Sequence, residues 1–242
     1  MSLKKLIFEE IENWHSTIAY DEKVLFGDRK KDYIIRDKLS KLPSFKKWFD
    51  NSITVNAQGK PLLFYHGSED ETFEGDVFKP DRNGLIFFTT SPSEALRYGD
   101  NLSKFFVRCK SIYDFKDDKE YILENYKEFK REFSGAMQTI WGTIYEVIGD
   151  EIEDDNEYEK LKLDIETKTL SRDLLNIWLE YPHDIWMLLE TEFMLERMKS
   201  LGNDGFITYE SGSFNIGIFD NHNIKIADGT NTTFDNSNNF RK

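Results

Sequence analysis

The stretch Leu62–Tyr98 constrains the fold more than any other part of this chain. It opens with the apolar run Leu62–Tyr65, which stops at His66-Gly67-Ser68. A short apolar run bounded by turn formers is typical of a buried strand. We therefore predict that His66 lies where a strand leaves the sheet, a common place for a binding residue because the scaffold fixes it while a loop gives access. Gly67 lacks a Cβ, so a ligand can approach the backbone closely there.

A second strand and a short helix complete this stretch. The strand is predicted over Leu85–Phe88, and the helix begins shortly after it. Ser91 can act as the N-cap, Pro92 takes the first helical position, and Glu94 completes a capping box. Tyr98 follows about two turns along, near the end of this helix.

The composition indicates a folded, acidic protein. At 242 residues the chain can form one large domain, or one domain with an appendage. Apolar residues make up 39% of it, so a substantial core is available and the composition is not that of a disordered chain. The net charge of −13 disfavours non-specific nucleic-acid binding through a broad basic face, although a local basic groove remains open.

The cysteine and histidine positions argue against two kinds of site. Cys109 is the only cysteine, so the chain has no internal disulfide and no cysteine-based zinc site. His15, His183 and His222 lack metal-ligand spacing, so we expect no metal centre. A single cysteine fits a reducing compartment, and the N-terminus lacks the apolar segment of a secretion signal. We expect a cytoplasmic protein without a membrane span, since no stretch approaches about 18 apolar residues.

Residues 1–50 are predicted to form a helical cap. Leu3–Glu22 has the apolar spacing of an amphipathic helix, and a second helix is expected within Asp32–Leu42. Phe45–Phe49 continues as a short helix after a proline. The cap either packs on the domain formed by residues 51–242, or contacts a partner or the substrate.

Within that domain, residues 116–201 are predicted to be a helical insertion of three or four helices, ending with Ile185–Leu201. The acidic run Asp150–Glu159 is typical of a solvated face or a mobile loop. This block is the most individual part of the chain and a candidate for target recognition. Three strands are predicted within Gly205–Ala227, and the polar tail Thr230–Lys242 is expected to fray.

These motifs together resemble a known family. A strand ending in His-Gly-Ser, the run Gly84–Thr89 and a short helix ending in Ala-x-x-Tyr resemble the ADP-ribosyltransferases of the His–Tyr type, which include the poly(ADP-ribose) polymerases and diphtheria-like toxins. They resemble in particular the ADP-ribosyltransferase domains of phage polyvalent proteins, over Leu42–Phe115 and Ile185–Asp235. The resemblance implies an α+β fold in which a split antiparallel β-sheet, with N-terminal helices and a large helical insertion, holds NAD in its cleft. It also implies that the loop Glu69–Arg82 covers the bound nucleotide.

The resemblance assigns NAD-binding roles to five residues. His66 would hydrogen-bond a ribose hydroxyl of the adenosine half, and Ser68 another ribose hydroxyl. The main chain of Gly67 would pair with the nicotinamide carboxamide, and the ring of Tyr98 would stack on nicotinamide. Phe88, ten residues before Tyr98 as in the polymerases, is counted with them. The alternatives are a strand-end histidine satisfied within the fold and a tyrosine buried in the core at the end of a helix.

The third position of the family pattern departs from the usual residue. The family usually has Glu four residues before an aromatic residue of a late strand, and counting back from Phe219 gives Asn215. An amide can hydrogen-bond a ribose 2′-hydroxyl but cannot act as a general base. Growth of poly(ADP-ribose) chains is therefore not expected, whereas mono-ADP-ribosylation stays open. Glu210 and Asp220 are nearby acids that could replace the missing carboxylate.

Three functions fit these residues. The leading hypothesis is a mono-ADP-ribosyltransferase that transfers ADP-ribose from NAD to a macromolecule, of the kind found in toxins or phage-related effectors. Net acidity favours a protein acceptor slightly over a nucleic acid. The alternatives are a catalytically inactive protein whose helical block binds a partner, and an NAD glycohydrolase with water as the acceptor. Either NAD-cleaving reaction develops oxocarbenium charge on the ribose, so the site must hold nicotinamide and ribose rigidly.

Overall fold

The computed structural model describes residues 30–56, 58–69, 73–143, 155–167, 169–180, 184–210 and 213–242. The predicted helix Leu3–Glu22 and part of the acidic run Asp150–Glu159 lie outside the described residues. The chain divides into two compact units, one comprising Met1–Tyr113 with Gly202–Lys242 and the other Asp114–Leu201. Among the described residues, no helix combines the length and the apolar character that crossing a membrane requires.

A seven-stranded sheet forms the centre of the first unit. The strands of this unit, in chain order, are β1 Phe64–Ser68, β2 Phe73–Glu74, β3 Val77–Phe78, β4 Ile86–Thr89, β5 Asn101–Val107, β6 Ile112–Tyr113, β7 Gly205–Glu210, β8 Ser213–Ile218 and β9 Ile224–Ile226. The sheet order is β6-β7-β8-β4-β1-β5-β9, and β2 and β3 form a separate hairpin. Neighbouring strands are antiparallel except β6 and β7, which are parallel. The predicted α+β class with a mainly antiparallel sheet is therefore confirmed.

The sheet is divided at the junction of β1 and β4. These two strands are in register at one position, Tyr65 opposite Thr89. By contrast, β1 pairs with β5 from Phe64 to Ser68, and β4 pairs with β8 along its whole length. Two half-sheets, β6-β7-β8-β4 and β1-β5-β9, therefore meet at a single rung, which confirms the predicted split sheet.

The first strand extends further than the sequence suggests. We expected the strand to stop at Tyr65, with His66 at its exit, but β1 continues to Ser68. The reason is the neighbouring strand, because Asn101–Ser103 of β5 pairs with these last three residues of β1. The prediction of a strand exit at His66 is therefore wrong, and the histidine lies inside the strand at the junction.

Alternation along the strands gives the sheet two different faces. One face carries a cluster of buried apolar residues that includes Phe88, Phe105 and Ile216. On the other face, the helices α1 Lys30–Leu39 and α2 Pro43–Trp48 contribute to a second cluster around Phe106. The described part of the N-terminal region thus packs on the sheet through its apolar side chains.

The C-terminal tail is an ordered part of this unit, contrary to the expectation that it frays. Phe234 and Phe240 are each only 3% exposed. The side chain of Lys225 is fully buried on β9, and its Nζ donates to the carbonyls of Ser237 at 2.8 Å and Asn239 at 2.7 Å. Composition alone predicts a mobile tail, but these long-range contacts, made by a buried ammonium and two phenylalanines, hold it against the sheet.

Helices make up the second unit. In chain order, the short helix α3 Pro92–Ala95 is still part of the first unit. Within the described residues the second unit contains α4 Lys119–Glu124, α5 Lys130–Thr143, α6 Asp155–Glu166, α7 Arg172–Glu180, α8 Trp186–Leu189 and α9 Glu192–Ser200. These helices are more than the three or four predicted. The helix predicted over Ile185–Leu201 is interrupted because the Thr191 hydroxyl accepts a hydrogen bond from the amide of Met194 and caps a new helix.

We predict that Lys225→Met lowers the free energy of unfolding by about 1–3 kcal/mol, because the partly buried carbonyls of Ser237 and Asn239 would lose their donor. Thermal or urea unfolding would measure this. The matched control is Lys110→Met, since Lys110 is exposed and surface substitutions change stability by about 0.5 kcal/mol or less. Equal stabilities for the two variants would contradict this account of the tail.

Candidate active site

The imidazole of His66 lies across the junction between the half-sheets. Its Nδ1 is 2.7 Å from the carbonyl oxygen of Phe87 on β4. In a continuous ladder the amide of the neighbouring strand would donate a hydrogen bond to that carbonyl. Here the imidazole side chain donates it instead. A carbonyl can only accept, so Nδ1 carries the proton and the neutral ring has its acceptor nitrogen at Nε2.

Aromatic side chains surround this imidazole and keep it neutral. The ring of Phe78 meets it edge-on with a centroid distance of 5.0 Å, and the ring of Phe88 lies at 5.5 Å. Burial disfavours the charged form and lowers the pKa of His66 below its ordinary value, while the Phe87 carbonyl partly opposes this. At neutral pH the ring is therefore an uncharged, directional hydrogen-bonding group.

Two glycines bring the Tyr98 segment against the end of β1. A Cβ on Gly67 would lie 1.8 Å from the carbonyl oxygen of Ala95, and a Cβ on Gly99 would lie 2.5 Å from the carbonyl oxygen of Ser68. Neither residue can carry a side chain while the backbones are this close. On the side where a Cβ would lie, Gly67 therefore admits another part of the chain, and its pairing with the ligand stays a prediction.

Tyr98 lies between these two contacts. Its amide donates to the carbonyl of Ala95 at 3.0 Å, the same carbonyl that lies against Gly67. Tyr98 is 66% exposed, which contradicts the alternative of a tyrosine buried in the core. The structure thus brings the backbone of Tyr98 next to the residue that follows His66, with the phenol ring accessible.

The turn that carries Tyr98 is fixed by its own polar contacts. Ser91 caps α3 by accepting from the amide of Glu94 at 3.3 Å, as the capping pattern predicts. Glu94 is buried, and its two carboxylate oxygens accept from Nη1 of Arg97 at 2.8 and 3.1 Å. The helix α3 ends at Ala95, so Tyr98 lies in the turn after it rather than in the helix.

Phe88 and Ser68 are both buried, and their roles in NAD binding stay predictions. Phe88 is 2% exposed and packs against His66 from the core side, so it supports the imidazole. The Ser68 hydroxyl is buried and donates to the carbonyl of Asn101 at 3.3 Å, so it serves the pairing of β1 with β5. Phe87, which the sequence reasoning did not select, lies on the opposite face of β4 and is partly exposed. Alternation from Phe88 is the signal that distinguishes them.

Asn215 lies on the row of residues that crosses the split. It is opposite Thr89 of β4, and Thr89 is opposite Tyr65 of β1. The Thr89 hydroxyl donates to Ser213 Oγ at 3.1 Å, and Ser213 Oγ donates to Asn215 Oδ1 at 3.4 Å. Because Oδ1 of Asn215 accepts from this row of hydroxyls, the Nδ2 donor of the same side chain points away from the row. The row belongs to the face of Gly67, while the imidazole of His66 reaches the junction from the other face.

The two acids named as replacements for the usual Glu lie in different places. Asp220 follows the far end of β8, about 16 Å along the chain from Asn215 at strand spacing. Its carboxylate accepts from the amide of His222 at 2.9 Å and lies 2.6 Å from Nδ1 of the same histidine. Glu210 ends β7 opposite Ser213, two positions from the pair of Thr208 with Asn215. Of the two acids, Glu210 is therefore the one whose position in the paired strands β7 and β8 is nearer to Asn215.

A split, mainly antiparallel sheet in a chain that also contains several helices is consistent with the fold of an ADP-ribosyltransferase. The family model described as ADP-ribosyltransferase in polyvalent proteins matches residues 56–234, and the chain belongs to this family. Neither the curated proteins nor the solved structures include a match to the chain. In the described part of the chain, no group of three or more His, Cys, Asp or Glu is placed to hold a metal ion.

The packing of Gly67 gives a direct prediction. Gly67→Ala should lower the free energy of unfolding by about 1–3 kcal/mol without any ligand, because the added methyl group forces Ala95 away from β1. Gly142→Ala is the control, since a Cβ at this helical glycine meets no atom within 4 Å and should stabilise by about 0.5–1 kcal/mol. Urea unfolding of both variants checks this, and unchanged stability of Gly67→Ala would refute the close contact.

Proposed function

We propose that this protein is a mono-ADP-ribosyltransferase that transfers ADP-ribose from NAD to a macromolecular acceptor. Members of its family are ADP-ribosyltransferases, and such enzymes take NAD as their substrate. The observation that carries the proposal is the split of the sheet, with the imidazole of His66 across it and the Tyr98 turn packed on the neighbouring residue Gly67.

Each half of NAD has a partner in this arrangement. The exposed phenol ring of Tyr98 offers a flat surface for the nicotinamide ring, and the main-chain groups of Gly67 would pair with the carboxamide. The neutral imidazole of His66, held by Phe87, bonds a ribose hydroxyl of the adenosine half. Fixing both ends of the dinucleotide holds the scissile bond between them, which lowers the entropic cost of reaching the transition state.

The reaction follows from the chemistry of this bond. The bond between the ribose C1 atom and the pyridinium nitrogen breaks, and its electron pair leaves with neutral nicotinamide. The acceptor's nucleophile forms the new bond to C1 and loses its proton to solvent or to a nearby base. Asn215 carries no charge and cannot take that proton, although its amide can hold a ribose hydroxyl. The acceptor is therefore a group that is already nucleophilic at neutral pH, and a single ADP-ribose is transferred.

The net charge of −13 supports a protein acceptor over a nucleic acid. Membership in a family of polyvalent-protein domains supports a phage-related effector or toxin. The single, buried cysteine fits action in a reducing compartment such as the cytoplasm. The helical unit Asp114–Leu201 is the candidate for recognising the acceptor.

Labelled NAD incubated with a cell lysate tests this function. We predict that label is transferred to macromolecules, and that His66→Ala and Tyr98→Ala each slow the transfer about a hundredfold or more because the dinucleotide is no longer positioned. Tyr98→Phe is the matched control and keeps activity, since stacking needs the ring. Release of free ADP-ribose alone would indicate a glycohydrolase. Partner binding without NAD cleavage would indicate an inactive enzyme, and full activity in either alanine variant would refute the site.

The amide at position 215 leads to a separate prediction. Asn215→Glu should raise the rate of transfer to a hydroxyl acceptor by about a hundredfold, because a general base then becomes available. Asn215→Gln is the matched control, because it has the same shape as Glu without the charge and should give no gain. The rates are measured with labelled NAD and a fixed acceptor. A similar rate in both variants would show that another group of the protein already acts as the base.

A further inference from the structure

The last residues of the chain return to the hairpin formed by β2 and β3. Asp76, at the turn of that hairpin, is bonded through both its main chain and its side chain. Its carbonyl accepts from the amide of Phe240 at 2.9 Å. Its carboxylate accepts from Nε of Arg241 at 3.0 Å and from Nδ2 of Asn239 at 3.4 Å. We call the segment Asn239–Arg241 the C-terminal clamp.

The clamp is itself anchored to the sheet. The amide of Ile226 on β9 donates to the carbonyl of Phe240 at 2.8 Å. The buried ammonium of Lys225 donates to the carbonyl of Asn239 at 2.7 Å. Since β9 is hydrogen-bonded to β5, and β5 to β1, the clamp is tied to the strand that carries His66.

Phe78, on strand β3 of the hairpin, is held by a further pair of hydrogen bonds, both with Asn221. The amide of Phe78 donates to Oδ1 of Asn221 at 3.1 Å, and Nδ2 of Asn221 donates to the carbonyl of Phe78 at 3.2 Å. One side-chain amide thus satisfies both main-chain groups of Phe78. With its backbone held in this way, the direction of the phenylalanine ring is set by the surrounding packing.

Two rings, those of Phe240 and Phe78, then connect the clamp with the imidazole. The ring of Phe240 lies 5.4 Å from that of Phe78, and Phe78 meets His66 at 5.0 Å with an interplanar angle of 87°. Phe78 and Phe240 are 2% and 3% exposed, so neither ring is accessible as a binding surface. The ring of Phe78 also lies 5.4 Å from that of Phe88, which itself packs against the imidazole.

We propose that the C-terminal clamp positions His66 for NAD, acting through Phe240 and Phe78; the inference rests on the function proposed above. Phe78 and Phe240 are positioning residues, since they touch the imidazole or its support and not the dinucleotide. The clamp lies beyond residue 234, where the match to the family model ends, and so it adds to the matched region. Loosening the clamp lets the ring turn away from the Phe87 carbonyl and weakens the hold on the ribose.

The tail supplies a matched pair of variants. Phe234 and Phe240 are equally buried, but Phe234 packs against Phe45 and Trp48 in the cluster under the helices, on the other face of the sheet. Phe240→Leu and Phe234→Leu therefore remove similar packing from different faces. The probes are the dissociation constant for NAD and the ¹⁵N signal of His66 Nδ1, which reports its hydrogen bond to Phe87.

We expect Phe240→Leu to weaken NAD binding about tenfold and to shift the Nδ1 signal, because small misplacements of a binding group have large effects. Phe234→Leu should lose comparable stability and change neither readout. Equal changes in both variants would show a general loss of packing and overturn the proposal. Unchanged NAD binding and an unchanged signal in Phe240→Leu would overturn it as well.

A second pair covers the case in which Phe240→Leu does not fold. Arg241→Gln removes the ion pairs of this exposed side chain with Asp76 and Asp228, and Lys60→Gln removes an exposed ion pair with Asp37 as its control. A shifted Nδ1 signal in Arg241→Gln alone supports the clamp, and the same signal in both variants overturns it. The Nδ1 signal is read without NAD, so the two proposals can fail separately. Wild-type protein that binds no NAD would refute the proposed function. An Nδ1 signal that depends on the clamp would still establish that the clamp positions the imidazole.

Discussion

The single hydrogen bond between His66 Nδ1 and the Phe87 carbonyl is the contact on which the rest of the site depends. Buried main-chain groups need partners, and where two strands stop pairing, the freed carbonyls and amides must find them elsewhere. Here an imidazole takes the carbonyl of β4 just past the last rung, Tyr65 opposite Thr89. The division of the sheet and the placement of the histidine are therefore one structural feature.

Two kinds of contact keep that feature rigid. On one face of β1, glycines at positions 67 and 99 allow the Tyr98 turn to pack directly on the backbone. Behind the imidazole, Phe78 and Phe88 form a dry aromatic wall that also keeps the ring uncharged. A neutral ring suits the proposed bond to a ribose hydroxyl, because it offers one donor and one acceptor without the desolvation cost of a buried charge.

Local sequence patterns predicted the local parts of this site. The capping residues Ser91 and Glu94 follow from short-range rules, and the structure confirms their hydrogen bond. The extent of β1 did not follow, because the pairing of Ser68 with Asn101 depends on a strand more than 30 residues away. The ordered tail was missed for the same reason, since its polar composition conceals the contacts of Lys225 and Phe240. Alternation puts Phe87 and Phe88 on opposite faces of β4, but which of the two faces the core follows only from the packing of the sheet.

The central claim is that His66 and Tyr98 hold a single dinucleotide. A crystal structure of the protein soaked with NAD tests it most directly. The account predicts one NAD molecule across the split, with nicotinamide stacked on the Tyr98 ring and a ribose hydroxyl of the adenosine half within hydrogen-bond distance of the His66 imidazole. NAD bound away from the junction, or bound there with only one of the two rings in contact, would contradict it.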